Sequence, residues 1–221
     1  VGLARVAVLR HRASLAFGGL EAYRGAGVAE QILIQSHIPF DILFDRHLPE
    51  QIDNYAAIIL PNTVCLSDEE ADRFQRYVSE GAGLVVTERS GYFDEVRRER
   101  EDTVLRPLLG DRAHPTWTDQ NEGLFGGNRR ILTPEQKLET IQKEFGNGRI
   151  AYLPGETYQD QGPHIWSLPA DWRDLEKTVR WAANGPMPLL TDAPPTVVCE
   201  PRATRDRHRV VHLVNYDLTH P

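Results

Sequence analysis

A rhythm in the first half of the sequence decides the class of fold. Short apolar runs stand at Arg5–Leu9, Phe40–Phe44, Tyr55–Leu60 and Gly83–Thr87. Each is strand-sized and bounded by turn-forming residues, which is the pattern of a buried strand. Two of the intervals carry amphipathic segments. Val28, Ile32 and Leu33 share a helical period, and Ala71, Phe74, Tyr77 and Val78 form one apolar face. Strands joined by helix-length crossovers build a parallel sheet covered on both faces. The second helix is the best marked. Ser67-Asp68-Glu69-Glu70 spells a capping box, and Gly81 is placed to end the helix. Gly18, Gly19, Gly25 and Gly27 read as a flexible loop before the first helix, and Leu48–Asn54 as a connector of one helical turn.

The second half is less regular. Tyr92–Leu109 is charged, and Asp111–Gly127 reads as a long surface loop. Asn147-Gly148 lies between strand-like runs at Thr140–Phe145 and Arg149–Leu153, which predicts a hairpin. Asp171–Asn184 predicts a helix with Asp171 as its cap and Gly185 as its stop, and Gly185–Pro195 a linker. Thr196–Glu200 and Arg209–Val214 predict an antiparallel hairpin that opens a separate β domain. The expected division is residues 1–190 and 191–221. The chain opens on Val1 at the edge of a strand, has Met187 as its sole methionine, and ends at Pro221 just after a strand. These ends predict a piece of a longer protein.

Composition narrows the function. With 32 acidic and 25 basic residues the net charge is −7, whereas nucleic-acid-binding domains are usually basic. No apolar run approaches the roughly 18 residues of a membrane span. Neither nucleic acid nor membrane is an expected partner. Two cysteines, Cys65 and Cys199, are too few for a disulfide scaffold or a zinc cluster, and no HExxH spacing occurs. No cofactor and no metal are expected. Two cysteines suit a cytoplasmic and an exported chain alike, and of the two the cytoplasm is the expectation.

In a parallel α/β sheet chemistry gathers at the carboxyl ends of the strands. The loops there are Arg10–Ala16, Asp45–His47, Pro61–Leu66 and Glu88–Asp94. Cys65 leads into a helix N-terminus, where a thiol can be activated, and His11, His47 and His164 are the loose candidates for its base. A half-buried structural cysteine is the plainer reading. Glu88-Arg89-Ser90 occupies the turn after the fourth strand, where a nucleophile elbow would stand, but Gly-x-Ser-x-Gly is absent. Glu88 and Arg89 read as a pair within the loop or with a neighbouring subunit. Asn62 and Thr63 with Glu88, Arg89 and Ser90 are the candidate ligand-binding or interface residues. The glycines fit neither GxGxxG nor the P-loop pattern. Asp94, Glu95, Asp119 and Glu122 read as surface acids rather than a glycosidase pair. Trp117, Phe125 and Trp166 could stack on sugars, fill an interface or plug the core.

Four stretches carry a resemblance. They are Tyr55–Asn62, Leu66–Glu70, Tyr77–Thr87 and Gly91–Glu95. Together they look like the class I glutamine-amidotransferase-like fold, and more narrowly like the trimerisation (middle) domain of glycoside hydrolase family 42 β-galactosidases. Phe145–Ile150 is similar to that family too, and Val211–Tyr216 looks like a strand of the β-sandwich that follows it. The resemblance implies a flavodoxin-like three-layer α/β sandwich with a mostly parallel sheet, then the start of a β-sandwich-like hairpin. It also implies a non-catalytic, self-associating module, with a trimer favoured, whose parent's catalytic carboxylates sit on a separate barrel. Active amidotransferases place a cysteine after the strand spelled here Gly83–Thr87. This chain has Glu88 there, and Asn62 and Thr63 replace the expected oxyanion glycines. Both departures count against amidase chemistry. Two other readings stand beside assembly. One is a carbohydrate or small-anion binding module around Asn62 and Glu88. The other is a thiol-dependent amidase or hydrolase using Cys65.

Overall fold

The computed structural model describes residues 3–110, 117–121, 128–132, 140–154, 168–169, 171–206 and 208–216. Its centre is a six-stranded sheet. The strands are β1 (Val6–Arg10), β2 (Phe40–Phe44), β3 (Ala57–Leu60), β4 (Gly83–Thr87), β7 (Ile141–Phe145) and β8 (Gly148–Leu153). They lie in the order β2-β1-β3-β4-β8-β7. All pairings are parallel except β7–β8. The expected α/β sandwich with a mostly parallel sheet is what forms. The expected hairpin forms as well, with its turn at Gly146-Asn147 and Gly148 already in β8, and its second strand extends the parallel sheet by pairing with β4.

Alternation along the strands feeds two cores. Ala7, Leu9, Ile58, Leu60, Leu84, Val86, Ile150 and Tyr152 face one side, against Phe74, Tyr77 and Val78 of α3 (Asp68–Ser79). Val6, Val8, Ala57, Ile59 and Val85 face the other. There they meet Ala29, Ile32 and Leu33 of α1 (Arg12–Gln35), and Leu175 and Val179 of α5 (Trp172–Ala182). The remaining helices, α2 (Leu48–Gln51) and α4 (Arg106–Leu109), are single turns. Among the described residues no helix is long and apolar enough to cross a membrane.

Several local expectations change. The glycine-rich stretch is not a loop, because α1 runs through it for 24 residues. A Cβ on Gly18 would lie 2.9 Å from Val64 Cγ2, and one on Gly25 3.2 Å from Asn62 Cβ. These glycines let the helix lie close to the loop after β3. The capping box of α3 is present, and Gly81 takes a φ of 126° as its stop. Asp171 stands at the cap of α5 without a capping hydrogen bond, and Asn184, at φ 42°, takes the left-handed position expected next door at Gly185. Within the segment read as a long loop, β5 (Trp117–Asn121) pairs antiparallel with β6 (Asn128–Leu132). Phe125, Glu122, His164 and Trp166 lie outside the described residues.

The C-terminal hairpin forms as expected, with β9 (Val197–Ala203) antiparallel to β10 (Arg209–Asn215). It touches the sandwich where His37 Nε2 donates to the Val197 carbonyl over 2.8 Å. Every residue of β10 is exposed.

Candidate functional site

β3 and β4 are neighbours, so the turns that leave them are neighbours too. That brings together the five residues singled out at the strand ends. Thr63 N–H donates to Ser90 Oγ (2.8 Å), and Arg89 N–H to Asn62 Oδ1 (3.3 Å). Asn62 N–H donates to Thr87 Oγ1 (2.9 Å). Ser90 Oγ lies 3.0 Å from the Leu60 carbonyl and 2.8 Å from that of Thr87, so its single proton has two acceptors. The Glu88 carbonyl accepts from Tyr152 Oη over 2.9 Å. Asn62 and Glu88 each take a left-handed conformation, with φ of 46° and 50°. For a glutamate that is a strained backbone, as expected of a nucleophile elbow.

The elbow is closed. Asn62 and Ser90 are 1% exposed, Thr63 2%, Glu88 3% and Arg89 6%. The Glu88 turn also leads into no helix. It runs into a strap whose Phe93 bridges Cys65 on one side and Glu99 on the other. The Arg89 guanidinium lies over the Phe93 ring at 5.1 Å and 3.9 Å from Glu99. The Asn62, Thr63 and Arg89 N–H groups and the Ser90 hydroxyl are bonded within this corner.

Cys65 is fully buried, and burial, the largest influence on it, pushes its thiol up to about 11. Such a thiol is protonated at neutral pH and a poor nucleophile. Among the described residues no hydrogen bond joins His11 to its sulfur. Ser14 Oγ donates to the Cys65 carbonyl (3.1 Å) and accepts from the Cys65 N–H (2.9 Å), so the link from α1 to Cys65 is to its backbone.

The open feature lies beside this corner, at the ends of β1 and β2. It is a cleft of about 550 Å³ lined by His11, Asp45, Leu48, Pro49, Asp68 and Glu95, among others. The buried His11 ring caps α1, with Nδ1 accepting from Ser14 N–H (3.3 Å). Its Nε2 stands 3.0 Å from Glu70 Oε1 and 4.0 Å from Asp45 Oδ2. Glu70 Oε2 closes the capping box by accepting from Ser67 N–H (2.9 Å) and Ser67 Oγ (2.9 Å). Burial alone would raise the Glu70 carboxyl. The hydrogen bond and charge of His11, with the Ser67 bonds, outweigh it and hold the carboxyl below the usual glutamate range. His11, Asp45 and Glu70 bring ligand atoms within 4.8 Å of one another, a spacing that could hold a cation. Each of the three groups also serves the fold: His11 caps α1, Asp45 accepts from Arg12 N–H, and Glu70 closes the capping box of α3.

The sequence reading named the loops that meet at this cleft but did not join His11 to Glu70. The two lie 59 residues apart, and no local signal links them.

The geometry defines an α/β sandwich of flavodoxin strand order with a sealed nucleophile turn. The sequence profile described as "Beta-galactosidase trimerisation domain" matches residues 31–142, half of the chain, and the chain belongs to that family. Among solved structures it is similar to the β-galactosidase from Rahnella sp. R3 (TM-score 0.68, 17% identity, 97% of this chain and 36% of that one). The β-galactosidase from Bacillus circulans sp. alkalophilus is similar to the same degree (TM-score 0.68, 18% identity, 96% and 35%). The α-L-fucosidase isoenzyme 2 from Paenibacillus thiaminolyticus shares the fold as well (TM-score 0.62, 18% identity, 97% and 38%). At these identities the likeness is one of fold. The chain spans about a third of the length of the β-galactosidases it matches. No curated protein matches it.

Proposed function

We propose that this chain serves as a non-catalytic assembly domain of a glycoside hydrolase and associates with further copies of itself, most simply as a trimer. The observation that carries the reading is the closed elbow. The position where this fold would present a nucleophile holds Glu88, at φ 50° and 3% exposed. The membership in a family described by trimerisation supports the same reading. A domain with its strand-end corner sealed contributes surface rather than chemistry, and it can brace or cap a neighbouring barrel.

The division at residue 190 belongs to this proposal. The sandwich runs through α5, and the described contacts of the β9–β10 hairpin with it centre on the end of α1 and the start of β2.

Light scattering over a range of concentrations tests the assembly. A mass of three chains is expected, and a monomer at every concentration overturns it. Assayed alone, the chain is expected to leave nitrophenyl glycosides intact, and sustained turnover by a pure sample overturns the non-catalytic reading. Carbohydrate binding is the second reading. The cleft beside His11 favours it, since carboxylates can accept hydrogen bonds from sugar hydroxyls. A thermal shift with galactosides that is lost in Asp45→Asn supports it, and no shift at millimolar sugar overturns it.

A further inference from the structure

A ring of identical subunits needs two different surfaces on each copy, one fitting the other. Two adjoining features stand in that relation. The first is the cleft, where Asp45, Asp68, Glu69, Glu70 and Glu95 outnumber Arg73 over a floor that includes Leu48 and Pro49. The second is the turn Asp94–Arg98. Asp94 Oδ1 accepts from Val96 N–H (3.0 Å) and Arg98 N–H (2.7 Å), and Asp94 N–H donates to the Arg98 carbonyl (3.0 Å). Arg97 sits left-handed at φ 67°, and the Phe93–Glu99 bridge closes the base. This preset turn holds Val96 55% exposed between exposed acidic and basic neighbours. The nearby cations are engaged, Arg73 with Glu69 and Arg100 with Asp68. Among the described residues no ion pair holds Arg97 or Arg98.

An apolar tip followed by two arginines that no ion pair holds among the described residues, in a turn already folded, loses little freedom on docking. Its complement is a carboxylate-rich recess whose exposed apolar lining is Pro49. We infer that the Asp94–Arg98 turn of one copy seats in the cleft of the next, with Val96 on Pro49 and the two arginines facing Asp45, Asp68 and Glu69. The inference rests on the assembly reading above and names the surfaces that reading leaves open. Each copy gives one knob and one recess. Glu95 belongs to the turn and lines the cleft, so the two surfaces adjoin, as surfaces grouped around a three-fold axis do.

The experiment is light scattering of the intact chain and of charge-reversed variants. Arg97→Glu/Arg98→Glu spoils the knob, and Glu69→Lys, outside the turn, spoils the recess. Like charges placed face to face are costly, so each variant is expected to raise the concentration for assembly at least about tenfold while its thermal unfolding stays that of the parent. Mixed together, the reversed knob meets the reversed recess and the intact knob the intact recess, so the two variants are expected to associate with each other at concentrations where neither associates alone. A wild-type trimer whose mass withstands both variants overturns this inference and leaves the assembly reading standing. A wild-type monomer overturns both.

Discussion

Single groups in this molecule are set by what surrounds them, and two of them can be read out by titration. The Cys65 thiol is buried and raised to about 11, whereas Cys199 is partly exposed on β9. Alkylation of the native chain at neutral pH is expected to modify Cys199 first and Cys65 only with denaturant, as peptide mapping would read. Fast labelling of Cys65 would revive the thiol-enzyme reading. Glu70 gives a pH signature. Its folded carboxyl lies below the ordinary value of 4.5, held there by His11 and Ser67 against burial. The native state therefore binds the proton less readily than the unfolded chain. The stability gained is present above the ordinary value and is lost as pH falls through the folded one. In Glu70→Gln the acid decline below about pH 5 should flatten, as urea midpoints taken across the acid range would show. An unchanged slope would mean that other carboxylates dominate the decline.

At the scale of elements, what is local was legible and what is tertiary was not. The capping box at Ser67–Glu70 and the hairpin are written within a few residues, and both form, although the hairpin turns at Gly146-Asn147 and takes Gly148 into its second strand, one residue from the expected Asn147-Gly148. The glycines of α1 looked like a loop because helix propensity counts against glycine. Their reason lies far away in sequence, in the loop at Asn62 and Val64 that the helix must approach. Asn62, Thr63, Glu88, Arg89 and Ser90 could be grouped from sequence because adjacent parallel strands end side by side. That they close on one another rather than on a ligand depends on Thr87, Ser90 and the Phe93 strap, whose packing no spacing reveals. The pairing of β5 with β6 was hidden by polar text with no apolar alternation. The glycines also separate by measurement. A Cβ on Gly27 meets nothing within 4 Å, so Gly27→Ala should stabilise α1 by about 0.5–1 kcal/mol. A Cβ on Gly83 would lie 2.3 Å from the Ala182 carbonyl oxygen, which is backbone and cannot swing away. Gly83→Ala should cost about 1–3 kcal/mol or more. Chemical denaturation of both variants checks the opposite signs, and equal effects would show that propensity rather than contact governs these sites.

At the scale of the whole molecule the question is which parts stand alone. The sandwich has two continuous cores whose central strands are buried on both faces. The hairpin has neither core. Val211 and Leu213 on one face and Val210, Val214 and Tyr216 on the other are all between 39% and 65% exposed. A two-stranded ribbon is marginal by itself in water, so the β9–β10 pair draws its order from the His37–Val197 hydrogen bond and the contacts around a cavity of about 280 Å³ beside Pro39 and Phe40. Those contacts are few against the packing of α1 and α5 on the sheet. A chain ending at residue 190 should therefore keep its far-ultraviolet dichroism and unfold in one transition, with Tm within a few degrees of the parent. It should also stay soluble to higher concentration, since it no longer carries exposed apolar strands. If Tm falls by ten degrees or more, the hairpin is part of the sandwich's own fold and the division at residue 190 is wrong. If the shortened chain also keeps the parent's solution mass, the assembly surfaces lie on the sandwich, where the Asp94–Arg98 turn and its cleft are found. If it folds but no longer assembles, the hairpin carries the contact, and the exposed face of β10 is where the next charge substitutions belong.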